Sequence, residues 1–390
     1  MYSLISEVSV ISAMILATGI AWFAIPPIIR VARIKKLYDE PIELRKIHKR
    51  RIPSLGGIAI FSSFLMTCGL FSTSQMPYAN YLLSGGVIIF TIGLKDDLVG
   101  MDPYKKFAAQ ILAALIIAYL ADIRITSFYG LFGIYDIPDL ASYALTILFI
   151  VFTINAFNLI DGIDGLAGGI GTVVCATFGT VFFQMGNMGF ALVAFTLVGA
   201  LLGFMRFNIS RARIFMGDSG SYTTGFVIAI LTVLFVELNK FDLNTNPYPF
   251  VRSVPAVALG ILIIPIFDTI RVFFIRIVKG GSPFVADRNH VHHRLIDIGL
   301  SHMQATLLLT GLNVLFVVLS FQLQHIGSLE LMIVLLGLAQ SLNTGLWLYD
   351  MHLRKKARKA LDLPTIAQLR KAEYEDTPAR KSFVEELLNN

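Results

Sequence analysis

Residues 8–30, VSVISAMILATGIAWFAIPPIIR, form an apolar segment whose only charged residue is the last one. About 20 such residues in a helix cross the hydrocarbon core of a bilayer. Similar segments recur as far as residue 352, without an interval between them that could form a soluble domain. The first segment lacks a basic leader and a cleavage site, so we expect it to remain as a first span. The chain is therefore predicted to be a helical membrane protein.

The composition supports this prediction. Of the 390 residues, 55% are hydrophobic and only 15% are charged, and the mean hydropathy is +0.71. Soluble domains are nearer to about 25% charged, so the excess of apolar side chains requires lipid as the solvent. The two cysteines, Cys68 and Cys175, both lie in apolar stretches. Disulfide scaffolds and cysteine metal sites are therefore excluded.

The apolar pattern predicts about eleven transmembrane helices. Their approximate limits are residues 8–30, 55–72, 80–95, 104–121, 141–160, 165–185, 188–207, 221–238, 253–277, 303–323 and 328–352. If the amino terminus faces outward, all but Arg124, Lys240 and Arg252 of the 32 Lys and Arg residues lie on or near the cytoplasmic side. This is the distribution that the positive-inside rule requires.

We therefore predict an all-α, polytopic protein with its amino terminus outside and its carboxyl terminus in the cytoplasm. Residues 1–352 form one transmembrane catalytic domain, and residues 353–390 form a polar cytoplasmic tail to which we assign no function. The net charge of +6 follows the topology, so a nucleic-acid partner is not expected.

Four polar segments fall on the predicted cytoplasmic boundary, and no predicted outer loop has a comparable set. They are Asp96 with Asp97, the run NAFNLIDGIDGL at residues 155–166, the run FMGDSGS at 215–221, and HVHHR at 290–294. Acids, amides and imidazoles from separate helices are thereby expected at one aqueous surface. This arrangement is typical of an active site.

Each segment also has a structural interpretation. Asp96 and Asp97 could form a solvated helix end, although carboxylates at a C-terminal end oppose the helix dipole unless a cation compensates them. The polar residues at every third position of the second run could serve interhelical hydrogen bonding; they are Asn155, Asn158, Asp161 and Asp164. FMGDSGS could be a tight turn with a serine cap, but together with the other segments Asp218 becomes a candidate metal ligand.

The histidine segment allows two kinds of site. Three His residues could bind zinc, but Cys ligands and a helical i, i+4 pair are absent from HVHHR. The neighbouring Arg288 and Arg294 favour recognition of anionic phosphate instead. The glycine-rich run GLAGGIGT, residues 165–172, follows no strand and is better explained by helix packing than by dinucleotide binding.

Carboxylates and an amide at a membrane edge suit Mg²⁺, with Mn²⁺ as an alternative metal, because Mg²⁺ prefers oxygen ligands and keeps waters and substrate phosphates in its shell. Phosphoryl transfer requires mainly positioning and charge neutralisation, which such residues supply. A site at the membrane edge also implies one lipid-borne and one soluble substrate.

Five motifs carry a resemblance to a known family. They are KIHKRRIPSLGGIAIF at residues 46–61, DDLVGMDPYKKFAAQ at 96–110, NAFNLIDGIDGLAGG at 155–169, FMGDSGS at 215–221 and PFVADRNHVHHRL at 283–295. Between about residues 26 and 310 the chain resembles the polyprenyl-phosphate N-acetylhexosamine-1-phosphate transferases. The form HVHHR is most similar to the bacterial undecaprenyl-phosphate N-acetylglucosamine-1-phosphate transferases. GMDP after the Asp pair departs from the more usual GLSP, and we expect only a local effect on the loop.

The resemblance implies transfer of a sugar 1-phosphate from a UDP-aminosugar to a polyprenyl phosphate, with release of UMP, at the cytoplasmic face of the bacterial inner membrane. It assigns magnesium binding to Asn158 and Asp218, and action on the lipid phosphate to Asp96 or Asp97, of which we favour Asp96 as the base. The substrate-binding residues that it implies are Lys46, Lys49, Lys106, Asp161, Arg288, His290, His292 and His293.

Several alternatives remain open at this stage. The sugar donor could be UDP-N-acetylglucosamine, UDP-MurNAc-pentapeptide or UDP-GalNAc, and the chain could act as a homodimer. A different class, an ion-coupled transporter, would place its site near the midplane on broken helices. Asp268 and Arg271 come nearest to that position, but their i, i+3 spacing predicts a local ion pair.

Overall fold

The computed structural model describes residues 2–37, 52–71, 78–209, 211–240, 250–280 and 289–360. In these ranges the chain is almost entirely helical, and the one extended pairing is an isolated antiparallel bridge between Ser127 and Asp136. The helices are α1 Tyr2–Lys35, α2 Gly56–Phe71, α3 Ala79–Val99, α4 Pro103–Leu115, α5 Asp139–Ile160, α6 Leu166–Gln184, α7 Met188–Asn208, α8 Gly217–Leu238, α9 Val254–Ile261, α10 Ile263–Val278, α11 Val291–Asp297, α12 His302–Gln322 and α13 Ser328–Ala360. A π-helical turn, Ile116–Leu120, extends α4. The all-helical prediction is confirmed for the described residues.

Seven helices of the described ranges are long and apolar enough to cross a membrane, and the bent pair α9 and α10 would make an eighth. The seven are Val8–Lys35 of α1, α5, α6, α7, α8, α12 and Ser328–Lys356 of α13. The apolar α2 has only 16 residues, and α4 has 13 before its π-helical turn. The count of eleven crossings and the outward amino terminus therefore remain predictions.

The prediction of one continuous helix over residues 253–277 is wrong. α9 and α10 are bent by 82° around Leu262. Pro265 explains the break, because its ring nitrogen cannot donate to the carbonyl of Ile261 and its ring would clash with that carbonyl in a continuous helix. The freed carbonyl of Ile261 instead accepts a hydrogen bond from Asn313 Nδ2 of α12 at 3.3 Å.

Helix α8 lies at the centre of the fold, where it packs against α2, α3 and α5. Small residues allow the close approach, as they do between membrane helices in general. A Cβ on Gly225 would lie 2.8 Å from Cα of Ile154 in α5, and a Cβ on Gly93 of α3 would lie 2.5 Å from Cα of Ser219. The start of α8 is therefore held tightly between two neighbouring helices.

The sequence GMDP, residues 100–103, which follows the Asp pair in place of the more usual GLSP, forms the start of α4. Asp102 caps this helix, and its side chain accepts a hydrogen bond from the backbone N–H of Tyr104 at 2.9 Å. Pro103 occupies the first helical position, where its missing N–H costs nothing. The GMDP sequence thus starts a helix locally.

The chain forms two compact units, Met1–Ala339 and Gln340–Asn390. All the site residues considered below belong to the first unit. The predicted polar tail is described only as far as Ala360, so the division at residue 352 remains a prediction.

Candidate active site

Asp97, near the end of α3, accepts hydrogen bonds from the first turn of α8. Its Oδ1 lies 2.7 Å from the backbone nitrogen of Asp218, and its Oδ2 lies 3.0 Å from the backbone nitrogen and 2.6 Å from the hydroxyl of Ser219. The first N–H groups of a helix lack partners within that helix and carry the positive end of its dipole. The carboxylate that opposes the dipole of α3 is therefore stabilised by the N-terminus of α8.

Asp96, Lys106, Asn158 and Asp218 come together from four helices. The ammonium group of Lys106 forms an ion pair with Asp96 Oδ2 and lies 3.4 Å from Asp218 Oδ2. The other oxygen of Asp218 accepts a hydrogen bond from Asn158 Nδ2 at 2.8 Å. All three charged side chains stay partly accessible, with exposures of 13% for Asp96, 22% for Lys106 and 25% for Asp218, so a ligand can reach them.

Gly217 forms a turn that admits only glycine. Its φ is +73°, and a Cβ there would lie 2.2 Å from the carbonyl oxygen of Ser54 and 2.7 Å from a carboxylate oxygen of Asp97. Gly57, at the start of α2, donates its N–H to the carbonyl of Met216 at 2.8 Å. The start of α2 is thus fixed against the loop that leads into α8 and Asp218.

Asp161, the residue that follows α5, lies beside these carboxylates. Burial raises its pKa well above the usual range, and the negative charges of Asp218 and Asp97 raise it further. A hydrogen bond from the backbone of Gly217 acts in the opposite direction. The raised pKa indicates that Asp161 is buried beside other carboxylates, which favours its neutral form.

The polar residues at every third position around the end of α5 do not act as one group. Asn155 donates to Gln110 Oε1 of α4 at 2.7 Å, which is the interhelical bond that the structural alternative predicted. Asn158 and Asp161 lie at the site. Asp164 instead accepts a hydrogen bond from the backbone N–H of Ala212 at 3.1 Å. The helix ends at Ile160, so the later residues leave the face that Asn155 occupies.

Asp164 and Asn208 join the turn after α5, which carries Asp161, to the loop between α7 and α8, which leads to Asp218. Asn208 accepts from the N–H of Gly165 at 2.7 Å and donates to the carbonyl of Ile214 at 2.9 Å. Asp164 Oδ1 lies 3.3 Å from Nδ1 of His302. Burial alone would raise the pKa of Asp164, but the hydrogen bonds from His302 and from the backbone lower it below its usual value.

His290 is held in place by Asp268 of α10, which also forms an ion pair with Arg271. Asp268 Oδ2 lies 2.8 Å from His290 Nδ1, and Asp268 Oδ1 accepts from the backbone N–H of Val291 at 3.0 Å and from Arg271 at 2.8 Å. The predicted Asp268–Arg271 pair is confirmed. Its place beside His290 was not predicted.

His292 connects the histidine segment to the site. Its ring packs against the turn after Asp161 so closely that a Cβ on Gly162 would lie 2.2 Å from its Nε2. Burial lowers the pKa of His292 to about 3, with a smaller contribution from His293, so the ring is neutral at physiological pH. The rings of His290 and His292 stack at 5.6 Å, and those of His292 and His293 lie 4.2 Å apart. His292 of α11 thus lies against the turn after Asp161, with the rings of His290 and His293 beside its own ring.

Three predicted substrate-binding residues, Lys46, Lys49 and Arg288, lie outside the described residues. Their positions therefore remain predictions.

The chain is similar to known proteins over most of its length. The sequence pattern described as glycosyl transferase family 4 matches residues 79–236, from the start of α3 into α8. Relatives named undecaprenyl-phosphate alpha-N-acetylglucosaminyl 1-phosphate transferase are found among bacteria. The protein of Escherichia coli O157:H7 is 30% identical over 72% of this chain and 75% of its own length. That of Salmonella typhi is 31% identical over 70% and 73%, and that of Haemophilus influenzae is 32% identical over 70% and 76%.

The chain belongs to glycosyl transferase family 4. It is therefore an enzyme, and the resemblance inferred from the five motifs is confirmed. The matched range contains the carboxylates, the lysine and the amide of the site but ends before the histidine segment.

The donor set of this glycosyl transferase family 4 member fits Mg²⁺. Within the described residues, no three His, Cys, Asp or Glu side chains are placed to hold a metal by themselves. Mg²⁺ needs fewer protein ligands, because it commonly binds one or two carboxylates and completes its shell with water and substrate phosphates. Asp218, with the Asn158 amide beside it, offers such oxygen ligands at a partly accessible position.

Several residues that shape this family 4 site were not predicted from the sequence. Gly57, Asn208, Asp268 and His302 act by fixing the groups that were predicted. Gly56 and Gly57 lie within one of the five motifs, so this glycine pair could have indicated a close contact of the backbone there. The other three are single polar residues in or beside apolar helices, where the sequence alone does not show which neighbour they meet.

Proposed function

We propose that this enzyme transfers N-acetylglucosamine 1-phosphate from UDP-N-acetylglucosamine to undecaprenyl phosphate, releases UMP and requires Mg²⁺. The main support is the position of Lys106, whose ammonium group contacts both Asp96 and Asp218 where four helices meet. The names of the relatives suggest the sugar and the lipid. The product would begin a lipid-linked glycan of the cell envelope.

Asp218 and Asn158 would hold the metal. Bound there, Mg²⁺ would neutralise charge on the diphosphate of the donor. Mn²⁺ has the same preference for oxygen ligands and would be a substitute.

The two adjacent aspartates would have different roles. Both oxygens of Asp97 already accept hydrogen bonds from the start of α8, so Asp97 would position Asp218. Asp96 interacts with the flexible side chain of Lys106 and is partly accessible. We therefore assign the role of base to Asp96, which would take the proton of the lipid phosphate.

The reaction then balances without a covalent enzyme intermediate. The lipid phosphate gives its proton to Asp96, and its oxygen attacks the phosphorus that carries the sugar. The bond from that phosphorus to the bridging oxygen breaks, and UMP leaves with the electron pair. Lys106 would bind the departing or transferred phosphate oxygens, which are charged acceptors.

The histidine segment and the basic residues would recognise the donor. His292 packs against the turn after Asp161, and the rings of His290 and His293 lie beside it. These three residues would contact the sugar or its phosphate. Lys46, Lys49 and Arg288 would add positive charge for the nucleotide. Asp161 would help to form the nucleotide and diphosphate site.

The location follows from the distribution of charge along the sequence. Because nearly all Lys and Arg residues fall on one predicted side, we place the site at the cytoplasmic face of a bacterial inner membrane. The predicted homodimer is retained as a proposal for the assembled enzyme. Membership in an enzyme family favours the transferase over the ion-coupled transporter.

The test uses purified full-length protein with undecaprenyl phosphate, MgCl₂ and, in parallel, the UDP derivatives of N-acetylglucosamine, N-acetylgalactosamine and MurNAc-pentapeptide. UMP release and the mass of the lipid product are measured. We expect product from UDP-N-acetylglucosamine, and none after chelation of the metal. A lipid product from another donor alone would overturn the sugar assignment.

The metal assignment is tested with Asp218→Ala. We expect loss of activity at every Mg²⁺ concentration, whereas the control Asp122→Ala removes an exposed carboxylate at the far end of the fold and should retain activity. Full Mg²⁺-dependent activity of Asp218→Ala would remove Asp218 from the metal site.

A further inference from the structure

The connection between α4 and α5 contains an apolar hairpin at the end of the fold opposite the active site. Its sequence, ITSFYGLFGIY at residues 125–135, has no charged residue. Loops that face water are normally polar, since exposed clusters of large apolar side chains mark an interaction surface. This hairpin therefore requires an apolar environment.

The hairpin is internally ordered. Phe128 N–H donates to the carbonyl of Tyr135 at 2.9 Å, and Gly130 N–H donates to the carbonyl of Ile134 at 3.0 Å. Phe132, at the tip, has a φ of +56°, a left-handed conformation that bulky side chains rarely adopt. The fold thus keeps an aromatic side chain at a position where glycine or asparagine would be less strained.

The hairpin is also attached to the last turn of α8. Both oxygens of Glu237 accept hydrogen bonds at 2.8 Å from Thr126, one from its N–H and one from its hydroxyl. The hydroxyl of Tyr129 donates to the carbonyl of Val236. Lys240 lies 3.2 Å from a carboxylate oxygen of Asp136. The hairpin therefore lies at the depth of a helix end rather than standing away from it in water.

That depth is a membrane boundary. The 22 residues of α8 span about 33 Å, close to the thickness of the hydrocarbon core. The active site is at the first turn of α8 and the hairpin is at the last. The hairpin must therefore lie near the lipid headgroups of the leaflet opposite the active site.

The tip presents large side chains that nothing in the described chain covers. Phe132 is 82% exposed, Tyr135 is 69% exposed and Ile134 is 45% exposed. Leu140, in the first turn of the spanning helix α5, is also 83% exposed. Aromatic residues favour the boundary between water and membrane, where their apolar rings are buried and their polar groups stay wet.

We infer that residues 132–135 insert into the headgroup region of the leaflet opposite the active site and bind that end of the protein to lipid. The occupant is the bilayer itself. This inference does not depend on the reaction that the enzyme catalyses, so the failure of either proposal would leave the other intact.

The test measures the depth of a single tryptophan at the tip. The chain has two tryptophans, Trp22 and Trp347, which are replaced by phenylalanine before Phe132→Trp is introduced. The protein is reconstituted into phosphatidylcholine vesicles whose acyl chains carry bromine either near the ester or near the terminal methyl group. We expect strong quenching by the shallow bromines and weak quenching by the deep ones.

The matched control is Leu148→Trp in the same background without the native tryptophans. Leu148 lies in the middle of the spanning helix α5 and is 64% exposed, so the deep bromines should quench a tryptophan there best. If Phe132→Trp does not fold, Ile134→Trp provides a second probe at the same tip. Quenching by aqueous iodide without quenching by any bromolipid would overturn the inference. A tip shielded from both quenchers would also overturn it, because a protein partner or a second copy would then cover the hairpin.

Discussion

Replacing Asp97 by asparagine separates the positioning role of this residue from catalysis. The native carboxylate accepts three hydrogen bonds from Asp218 and Ser219 at the start of α8. Asparagine has one acceptor oxygen, so its NH₂ group would face at least one N–H or O–H donor. Leaving a buried donor unpaired costs about 1–3 kcal/mol. Loss of the negative charge at the helix N-terminus adds about 0.3–1 kcal/mol. Together these losses amount to roughly 1–4 kcal/mol of stability.

The measurement compares Asp97→Asn with Asp96→Asn in the same detergent. Thermal unfolding is followed by tryptophan fluorescence or circular dichroism, and UMP release is measured at saturating substrate. We expect a Tm lower by several degrees for Asp97→Asn, with a matching loss of activity as Asp218 shifts. Asp96→Asn should keep a Tm close to that of the wild type but lose most of its kcat.

The two variants together test the roles assigned to Asp96 and Asp97. If Asp97→Asn kept its Tm and lost kcat, while Asp96→Asn lost stability and kept its kcat, the two roles would be reversed. Equal loss of kcat without any change in Tm would mean that both carboxylates act on the substrate.

Three further predictions concern the contacts around the histidine segment. Gly162→Ala should destabilise the protein by about 1–3 kcal/mol, because the added Cβ would overlap His292. The double variant Gly162→Ala/His292→Ala should lose less stability than the sum of the losses of the two single variants, because the smaller side chain removes the overlap. The unfolding midpoints of the three variants measure this coupling. Asp268→Asn should cost about 3–5 kcal/mol by leaving Arg271 buried without its counterion, whereas the double variant Asp268→Leu/Arg271→Leu should unfold closer to the wild type. The neutral His292 has a pKa of about 3 in the folded protein against about 6.5 when unfolded, so its contribution to stability is fully present above pH 6.5 and is lost as the pH falls towards 3. Near pH 5 this loss of stability is about 2 kcal/mol. The free energy of unfolding is measured from pH 7.5 to pH 5, and a His292→Gln variant should not show this loss.

The helices could be located from the sequence because hydrophobic side chains in lipid form continuous runs of a recognisable length. Each apolar segment that was predicted coincides with helix in the described residues. The bend at Leu262 was missed, although Pro265 was visible. A proline in a membrane helix is tolerated when another helix satisfies the freed carbonyl, and only the structure identifies Asn313 as that partner.

The candidate site was also predictable in part. Topology alone placed Asp96, Asp97 and Asp218 at one boundary, because helices that alternate in direction bring alternate ends to the same side. The different roles of polar residues that are close in the sequence were not predictable, since each role depends on which helix ends are in contact. Asn155 and Asn158 illustrate this limit: they have the same chemistry and lie three residues apart, yet one bonds Gln110 and the other Asp218.

The charge of the site explains why both a metal and a basic donor-binding segment are expected. Four carboxylates meet where α3 and α5 end and α8 begins, and in the described part of the chain Lys106 pairs with two of them, Asp96 and Asp218. The N-terminus of α8 balances Asp97, and burial favours the neutral form of Asp161. One ammonium group faces the two carboxylates of Asp96 and Asp218, so negative charge remains that would repel a diphosphate. The proposed UDP-sugar would therefore bind only together with positive charge. A magnesium ion at Asp218 and the basic residues that precede α2 and α11 in the sequence are the groups that would supply it, so the proposed metal dependence would follow from the geometry of the helix ends.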